Sequence, residues 1–242
     1  MNVSNRTDLD GVHVWQAHLS TVPLEFQDIA SFVPKDELAR ARLMRIPSVR
    51  DRYTISRIFL RSTLSFYLGI DATDIVFELS QFGKPYIAKS DLEFNLTHSA
   101  NLALLAIASK RRAGIDVERV STDPPVLDIA RRFFSTDEYA ASEALPSDLL
   151  LSAFYATWTR KEAFLKGVGL GIARHLAQCA VSVSPREPAA VLRVDWDSSL
   201  AGRWDLCDLD VDEGYFSCLA VEGHQVPIRC FSWPIHSHLA NM

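Results

Sequence analysis

The chain has 242 residues, enough for one large domain or two small fused ones with a real core. Hydrophobic residues make up 48% and charged residues 23%, which argues against disorder except at the ends. A formal net charge of -5 excludes bulk electrostatic binding of nucleic acid, though not a local basic patch.

Residues Met1 to Arg6 lack the charged-then-apolar pattern of a secretory segment. The longest apolar run, Leu102 to Ala108, is far too short for a membrane span. These features predict a soluble, cytoplasmic protein. Cys179, Cys207, Cys218 and Cys230 have neither C-x-x-C spacing nor a histidine at zinc-finger distance, so they are expected as buried free thiols.

In chain order, Val12 and Val14 alternate with polar neighbours across residues 11–19, which predicts a strand. Asp36 to Gly69 reads as helix, in two pieces broken near Pro47, with Gly69 as C-cap. Ile75 to Leu79 is a short strand and Gly83-Lys84-Pro85 a turn. Leu92, Phe94 and Leu96 alternate with polar residues up to His98, a half-buried strand. Leu102 to Ala108 reads as a central strand, and Gly114 to Val120 alternates again. Val126 to Phe134, Asp137 to Ala144 and Leu149 to Gly167 are helical. The last of these places Phe154, Trp158, Glu162, Leu165 and Lys166 on one stripe, expected to face inward. Cys179 to Val183, Ala190 to Val194, Tyr215 to Val221 and Ile228 to Trp233 are strands, and the tail from Pro234 to Met242 is loosely held. Helices and strands mix without a βαβ rhythm, so the fold class is α+β.

Four groups of residues could carry chemistry. Asp116 and Glu118 share one strand face, while Ile115 and Val117 anchor the other. Two such carboxylates repel unless a cation lies between them, and Mg²⁺ favours oxygen ligands; a solvated strand face is the alternative. Glu162 and Lys166 lie one helical turn apart, as a site pair or as a simple ion pair. Phe94 to Ser99 ends a strand in hydroxyls and an imidazole, suited to phosphate oxygens or to a satisfied turn. Arg40, Arg42, Arg45, Arg50, Arg52, Arg57 and Arg61 face Asp51 as the one acid in that stretch, a density that suits a polyanion. Gly167-Val168-Gly169-Leu170-Gly171 looks like a phosphate loop, but such glycines precede a helix and these follow one.

Ala113-Gly114-Ile115-Asp116, then 41 residues, then Trp158-Thr159-Arg160-Lys161-Glu162-Ala163-Phe164-Leu165-Lys166 resembles the signature of the 4′-phosphopantetheinyl transferase superfamily. Only Ala113 departs from it. Gly83-Lys84-Pro85, Asn95-Leu96-Thr97-His98-Ser99 and Arg132-Phe133-Phe134-Ser135 follow the order of the Sfp type, whose members activate polyketide and nonribosomal peptide synthetases. The match covers roughly residues 34–171. The resemblance implies two similar α+β halves, residues 1–110 and 111–242, with the active site between them. It implies that Asp116, Glu118 and Glu162 hold Mg²⁺. Lys161 and Lys166 would lie near the phosphates of coenzyme A, with Thr97 and His98 as further phosphate contacts. Gly83, Lys84 and Pro85 would line the adenine site, and Arg45 and Arg52 would meet the 3′-phosphate. Glu162, or a water it orients, would be the general base, aided by Lys166. The implied partner is an acyl or peptidyl carrier protein; no nucleic acid or membrane is implied, and the doubled length suggests a monomer. Two other readings stay open: a metal-dependent nucleotide pyrophosphate hydrolase, and a non-catalytic carrier-protein-binding or nucleotide-binding module.

Overall fold

Alternating and continuous apolar runs resolve into two main sheets, besides the small pairs β2 (Glu78–Leu79) with β3 (Pro85–Tyr86) and β7 (Cys179–Val181) with β8 (Val191–Val194), in a computed structural model that describes residues 9–20, 28–171 and 175–234. The expectations for Met1 to Arg6 and for the tail beyond Pro234 lie outside these residues. The first sheet contains β1 (Val12–His18), β4 (Leu92–Ser99), β5 (Leu102–Ser109) and β11 (Ile228–Ser232), in the order β11-β1-β5-β4. The second contains β6 (Ala113–Arg119), β9 (Trp204–Asp208) and β10 (Tyr215–Glu222), in the order β6-β10-β9. Each is served by one long helix, α2 (Pro47–Leu68) or α5 (Ser147–Val168).

The fold is α+β with two similar halves. Each runs strand, long helix, two strands, and inserts its last strand between the other two; β1-β5-β4 matches β6-β10-β9, antiparallel throughout. Both helices have 22 residues and both end on a left-handed glycine, Gly69 at φ 68° and Gly169 at φ 82°. Glycine takes that conformation without a Cβ penalty. α1 (Lys35–Arg42) precedes α2, and Pro47 opens the second piece at a position where its missing N–H costs nothing.

β5 explains its own composition. Ala103, Leu105 and Ile107 pack under α2 with Ile55, Phe59 and Leu64, while Leu102, Leu104 and Ala106 meet Ile115, Val117 and Leu219 of the second half. A strand covered on both faces has no polar side, hence the unbroken apolar run.

Several expectations shift. Ile75 to Leu79 pairs only as β2 (Glu78–Leu79) against β3 (Pro85–Tyr86), because the Ile75 carbonyl is taken by the Arg61 guanidinium. β9 went unread in the sequence. β11 pairs in parallel with β1, so chain position places this strand in the second half while the sheet places it in the first. All four cysteines are free, but Cys230 is exposed on edge strand β11 and Cys207 half-buried; only Cys179 and Cys218 are buried. No helix among the described residues is long and apolar enough to cross a membrane.

The turn into β6 is tied to the end of β10. Arg112 donates two 2.8 Å bonds to the Glu222 carboxylate, and Arg203 adds another. The Arg112 bond, with Arg203, holds the Glu222 carboxyl down at about 2. A carboxyl depressed in the folded state contributes stability above its ordinary value, and that contribution fades as pH falls toward 2. Glu222→Gln should therefore unfold at lower urea than wild type at pH 7, with the gap closing between about pH 4.5 and 2; urea midpoints across that range check this.

Candidate active site between the two halves

Alternation along β6 buries Ile115 and Val117 and turns Asp116 and Glu118 to the opposite face. Gly114 sets the depth at which this strand meets α5. A Cβ on Gly114 would overlap the Ala163 carbonyl oxygen and the Gly167 backbone, and one on Gly167 would overlap the Trp204 ring. With neither present, β6 lies directly on the last turns of α5. That contact brings Asp116 under Glu162 and Lys166: the Lys166 ammonium bonds Asp116 Oδ1 and lies 3.2 Å from Glu162 Oε2.

Asp116 is 1% exposed. Burial pushes its pKa up; Lys166 opposes this, and Glu162 and Glu118 add to it. Burial also raises Glu118, against the bond from Ser99 and with the help of Glu162. Burial disfavours the charge on Lys166, but Asp116 and Glu162 outweigh it and raise that pKa. Three carboxylates against one ammonium leave surplus negative charge, and Asp116 Oδ2 is buried with no hydrogen-bond partner. Oxygen donors with surplus negative charge fit a hard divalent cation. Among the described residues, no group of three or more His, Cys, Asp and Glu side chains closes to metal-ligand geometry; the Lys166 ammonium bridges two of the acids.

Beside these acids is a cleft of about 190 Å³ lined by Phe82, Gly83, Lys84, Pro85, Asn95, Lys166 and Gly169 to Gly171. Gly83, Lys84 and Pro85 thus adjoin Lys166. Lys84 donates to the Ala113 carbonyl at 3.2 Å, and burial lowers its pKa. His98 is exposed; crowding by the surrounding protein lowers its pKa, and Lys166 and Arg52 act in the same direction. Arg52 and Lys166 thus both disfavour a charge on His98, and Arg52 has no carboxylate partner among the described residues. Arg45 is exposed in the link between α1 and α2.

Four expectations need correcting. Lys161 cannot lie near bound phosphates: it is 0% exposed and donates to both oxygens of Glu138 (2.9 and 2.6 Å) and to the Cys179 carbonyl. Glu138 sits on α4 (Thr136–Glu143), which follows α3 (Val126–Phe133), and it also caps α4 from within a Ser135–Glu138 capping box. Thr97 is buried and donates to Asp116 Oδ1 at 3.2 Å, so its hydroxyl serves the acid. Arg57 and Arg61 are held by Glu37 of α1 and are not free for a polyanion. Finally, Trp158, Glu162 and Lys166 form the half-buried line of α5, while Arg160, Lys161 and Leu165 are fully buried, because the helix is covered on its other sides. Gly169 and Leu170 close α5 as a C-cap, as read, yet they also line the cleft. Sequence reasoning gave no role to Asn95 or Glu138 and read Ser99 only within a hydroxyl cluster suited to phosphate oxygens, whereas its hydroxyl bonds Glu118 and the Arg119 N–H; the period-two polar residues on β4 and the S-x-x-E box were the available signals.

Known proteins resolve the class. The model of the 4′-phosphopantetheinyl transferase superfamily matches residues 112–218, and that of the 4′-phosphopantetheinyl transferase N-terminal region matches residues 15–110. The chain belongs to the 4′-phosphopantetheinyl transferase superfamily, and its function is that of the family, transfer of phosphopantetheine to carrier proteins. Its relatives are of the Sfp and HetI type. It is 37% identical over 218 residues to the 4′-phosphopantetheinyl transferase HetI of Nostoc sp., covering 88% of this chain and 89% of the relative. It is 32% identical over 158 residues to the 4′-phosphopantetheinyl transferase Sfp of Bacillus subtilis, covering 65% and 69%. These matches support neither the hydrolase nor the non-catalytic module.

Two outcomes follow from this geometry. Gly114→Ala should separate β6 from α5 and cost both thermal stability and transfer activity, whereas Gly214→Ala, with nothing near its Cβ, should cost only what its φ of 82° imposes on stability; melting curves and transfer rates compare them. Lys161→Met should destabilise by about 3–5 kcal/mol, because Glu138 is left buried without its cation. A variant of unchanged urea midpoint would sink the structural assignment of Lys161.

Proposed function

We propose that the chain moves 4′-phosphopantetheine from coenzyme A to a serine of an apo carrier protein in a Mg²⁺-dependent reaction, with Asp116, Glu118 and Glu162 holding the ion. The observation that carries this is the meeting of Asp116, Glu162 and Lys166 beside the cleft of Gly83, Lys84 and Pro85. The unpartnered Asp116 Oδ2 and the surplus negative charge support the ion. When bound, it would neutralise charge on the phosphates of coenzyme A.

The chain's own groups supply the rest. A serine hydroxyl is a poor nucleophile and must lose its proton as its oxygen attacks the phosphorus that bears the pantetheine. Glu162, or a water it orients, accepts that proton. The bond from that phosphorus to the bridging oxygen breaks, and adenosine 3′,5′-bisphosphate leaves. Lys166, freed from Asp116 and Glu162 as coenzyme A binds, donates to the phosphates. Arg52 and His98 bind the 3′-phosphate side, and Gly83, Lys84 and Pro85 hold the adenine. Arg45 joins only if the link that carries it moves inward. Residues 1–110 thus supply most coenzyme A contacts and residues 111–242 the acids. The free cysteines suit the reducing cytoplasm, and the doubled length suits a monomer.

Incubation of an apo carrier protein with coenzyme A, Mg²⁺ and this protein should add one phosphopantetheine to the carrier, read as intact mass. EDTA should stop the reaction and Mg²⁺ restore it; full rates without metal would remove Asp116 and Glu118 from the mechanism. Glu162→Gln should slow transfer by about 100-fold or more with an unchanged melting curve. Near-wild-type rates in that variant would refute its role.

A further inference from the structure

β4 and β6 belong to different sheets and share no backbone ladder, yet they run side by side at the site. Side chains from every second residue of β4 join them. Asn95 Oδ1 accepts the Ile115 N–H at 2.8 Å. Thr97 Oγ1 donates to Asp116 Oδ1 at 3.2 Å. Ser99 Oγ donates to Glu118 Oε2 at 2.8 Å and accepts the Arg119 N–H at 3.1 Å. The partners advance in step, as a parallel pairing would, but through hydroxyls and an amide.

We propose that Ser99, with Thr97 and Asn95, is a positioning residue: this polar ladder fixes the register of β6 against β4 and aims the carboxylates of Asp116 and Glu118 at the cation. The inference rests on the reading of those two acids as cation ligands. Asn95 pins the backbone between Gly114 and Asp116. Thr97 and Lys166 both take Asp116 Oδ1, which leaves Oδ2 presented with no other partner. Ser99 takes Glu118 Oε2 and not Oε1. A carboxylate that accepts a fixed hydrogen bond on one oxygen loses the freedom to swing, so less ordering remains to be done when the cation binds. A hydroxyl bound to coenzyme A phosphate would leave Glu118 loose; a hydroxyl that merely joins the halves would affect stability alone.

The test measures Mn²⁺ binding to the full chain in the presence of coenzyme A by electron paramagnetic resonance, with thermal melting and the KM for coenzyme A beside it. Ser99→Ala should weaken Mn²⁺ by about tenfold, the usual cost of losing a partner that orients a ligand, while the KM for coenzyme A holds. Ser99→Thr keeps the hydroxyl and should recover most of the affinity. Should Ser99→Ala fail to fold, Ser99→Cys keeps the volume, weakens the donor and carries the same expectation. Unchanged Mn²⁺ affinity overturns the proposal, as does a raised KM for coenzyme A or a lowered melting temperature as the sole effect. Glu118→Ala is the control: if it binds Mn²⁺ as tightly as wild type, the ligand reading itself has failed, and the ladder with it.

Discussion

A strand rests on a helix with no side chain between them, at Gly114 and Gly167, and the site is built outward from that contact. Asp116 lies two residues along β6 from the crossing, so it returns to the same face as Gly114 and meets the helix. Glu162 and Lys166 lie within about a turn and a half of Gly167, so they are the side chains it meets. Hydrophobic packing of Ile115 and Val117 against Leu219 and the first sheet supplies the force that presses the strand down. Asp116 from the first part of the motif and Glu162 and Lys166 from the second are thus joined by backbone proximity. That explains why both glycines flank the charged residues in the sequence.

α5 carries three buried or half-buried cations, and their surroundings separate structure from chemistry. Arg160 donates to Asp208 and to the carbonyls of Ser182, Ser184 and Glu187, so its donors are well satisfied. Lys161 has both oxygens of Glu138 and the Cys179 carbonyl. Lys166 instead joins acids that outnumber it, and one oxygen among them has no partner. A buried pair that closes its own hydrogen bonds is a frame; a cluster with surplus charge and perturbed acids is where a ligand completes the balance.

Much of this was legible because it is local. The alternation of β6, the length of α5, its glycine C-cap and the proline break before α2 all follow from short-range rules, and each appears within a residue or two of its expected bounds. The partner of Lys161 was not legible. Glu138 lies 23 residues upstream on a separate short helix, and nothing in a helical wheel distinguishes a lysine aimed at a phosphate from one aimed at a buried carboxylate. The arginines of α2 misled for the same reason: Glu37, which neutralises Arg57 and Arg61, stands on α1 before the basic run begins. β9 alternates Trp204 and Leu206 with Asp205 and Cys207, but five residues offer too little period to stand out. Pairing of β11 with β1 depends on closure of the whole chain, which no window contains.

The duplicated plan also explains why Lys161 belongs to the frame. Counted back from the left-handed glycines, Arg61 of α2 and Lys161 of α5 stand at the same position. Each is buried, and each pairs with a glutamate from the short helix just before, Glu37 or Glu138. An ion pair present in both halves, one of which holds none of the three acids, serves what the halves share, the anchoring of the long helix. The next position differs. Ser62 accepts the Trp233 indole N–H at 3.0 Å, and nearby the Tyr67 hydroxyl accepts from Trp15, a neutral and satisfied aromatic cluster. In the second half that position is Glu162, and the strand beneath it offers Asp116 where the first offers Trp15 and Gln16. One scaffold has been filled twice, once with rings that close their hydrogen bonds and once with carboxylates that leave charge over. The asymmetry therefore comes from side chains placed on two similar backbones, and the surplus carboxylates stand in the half where burial was left incomplete.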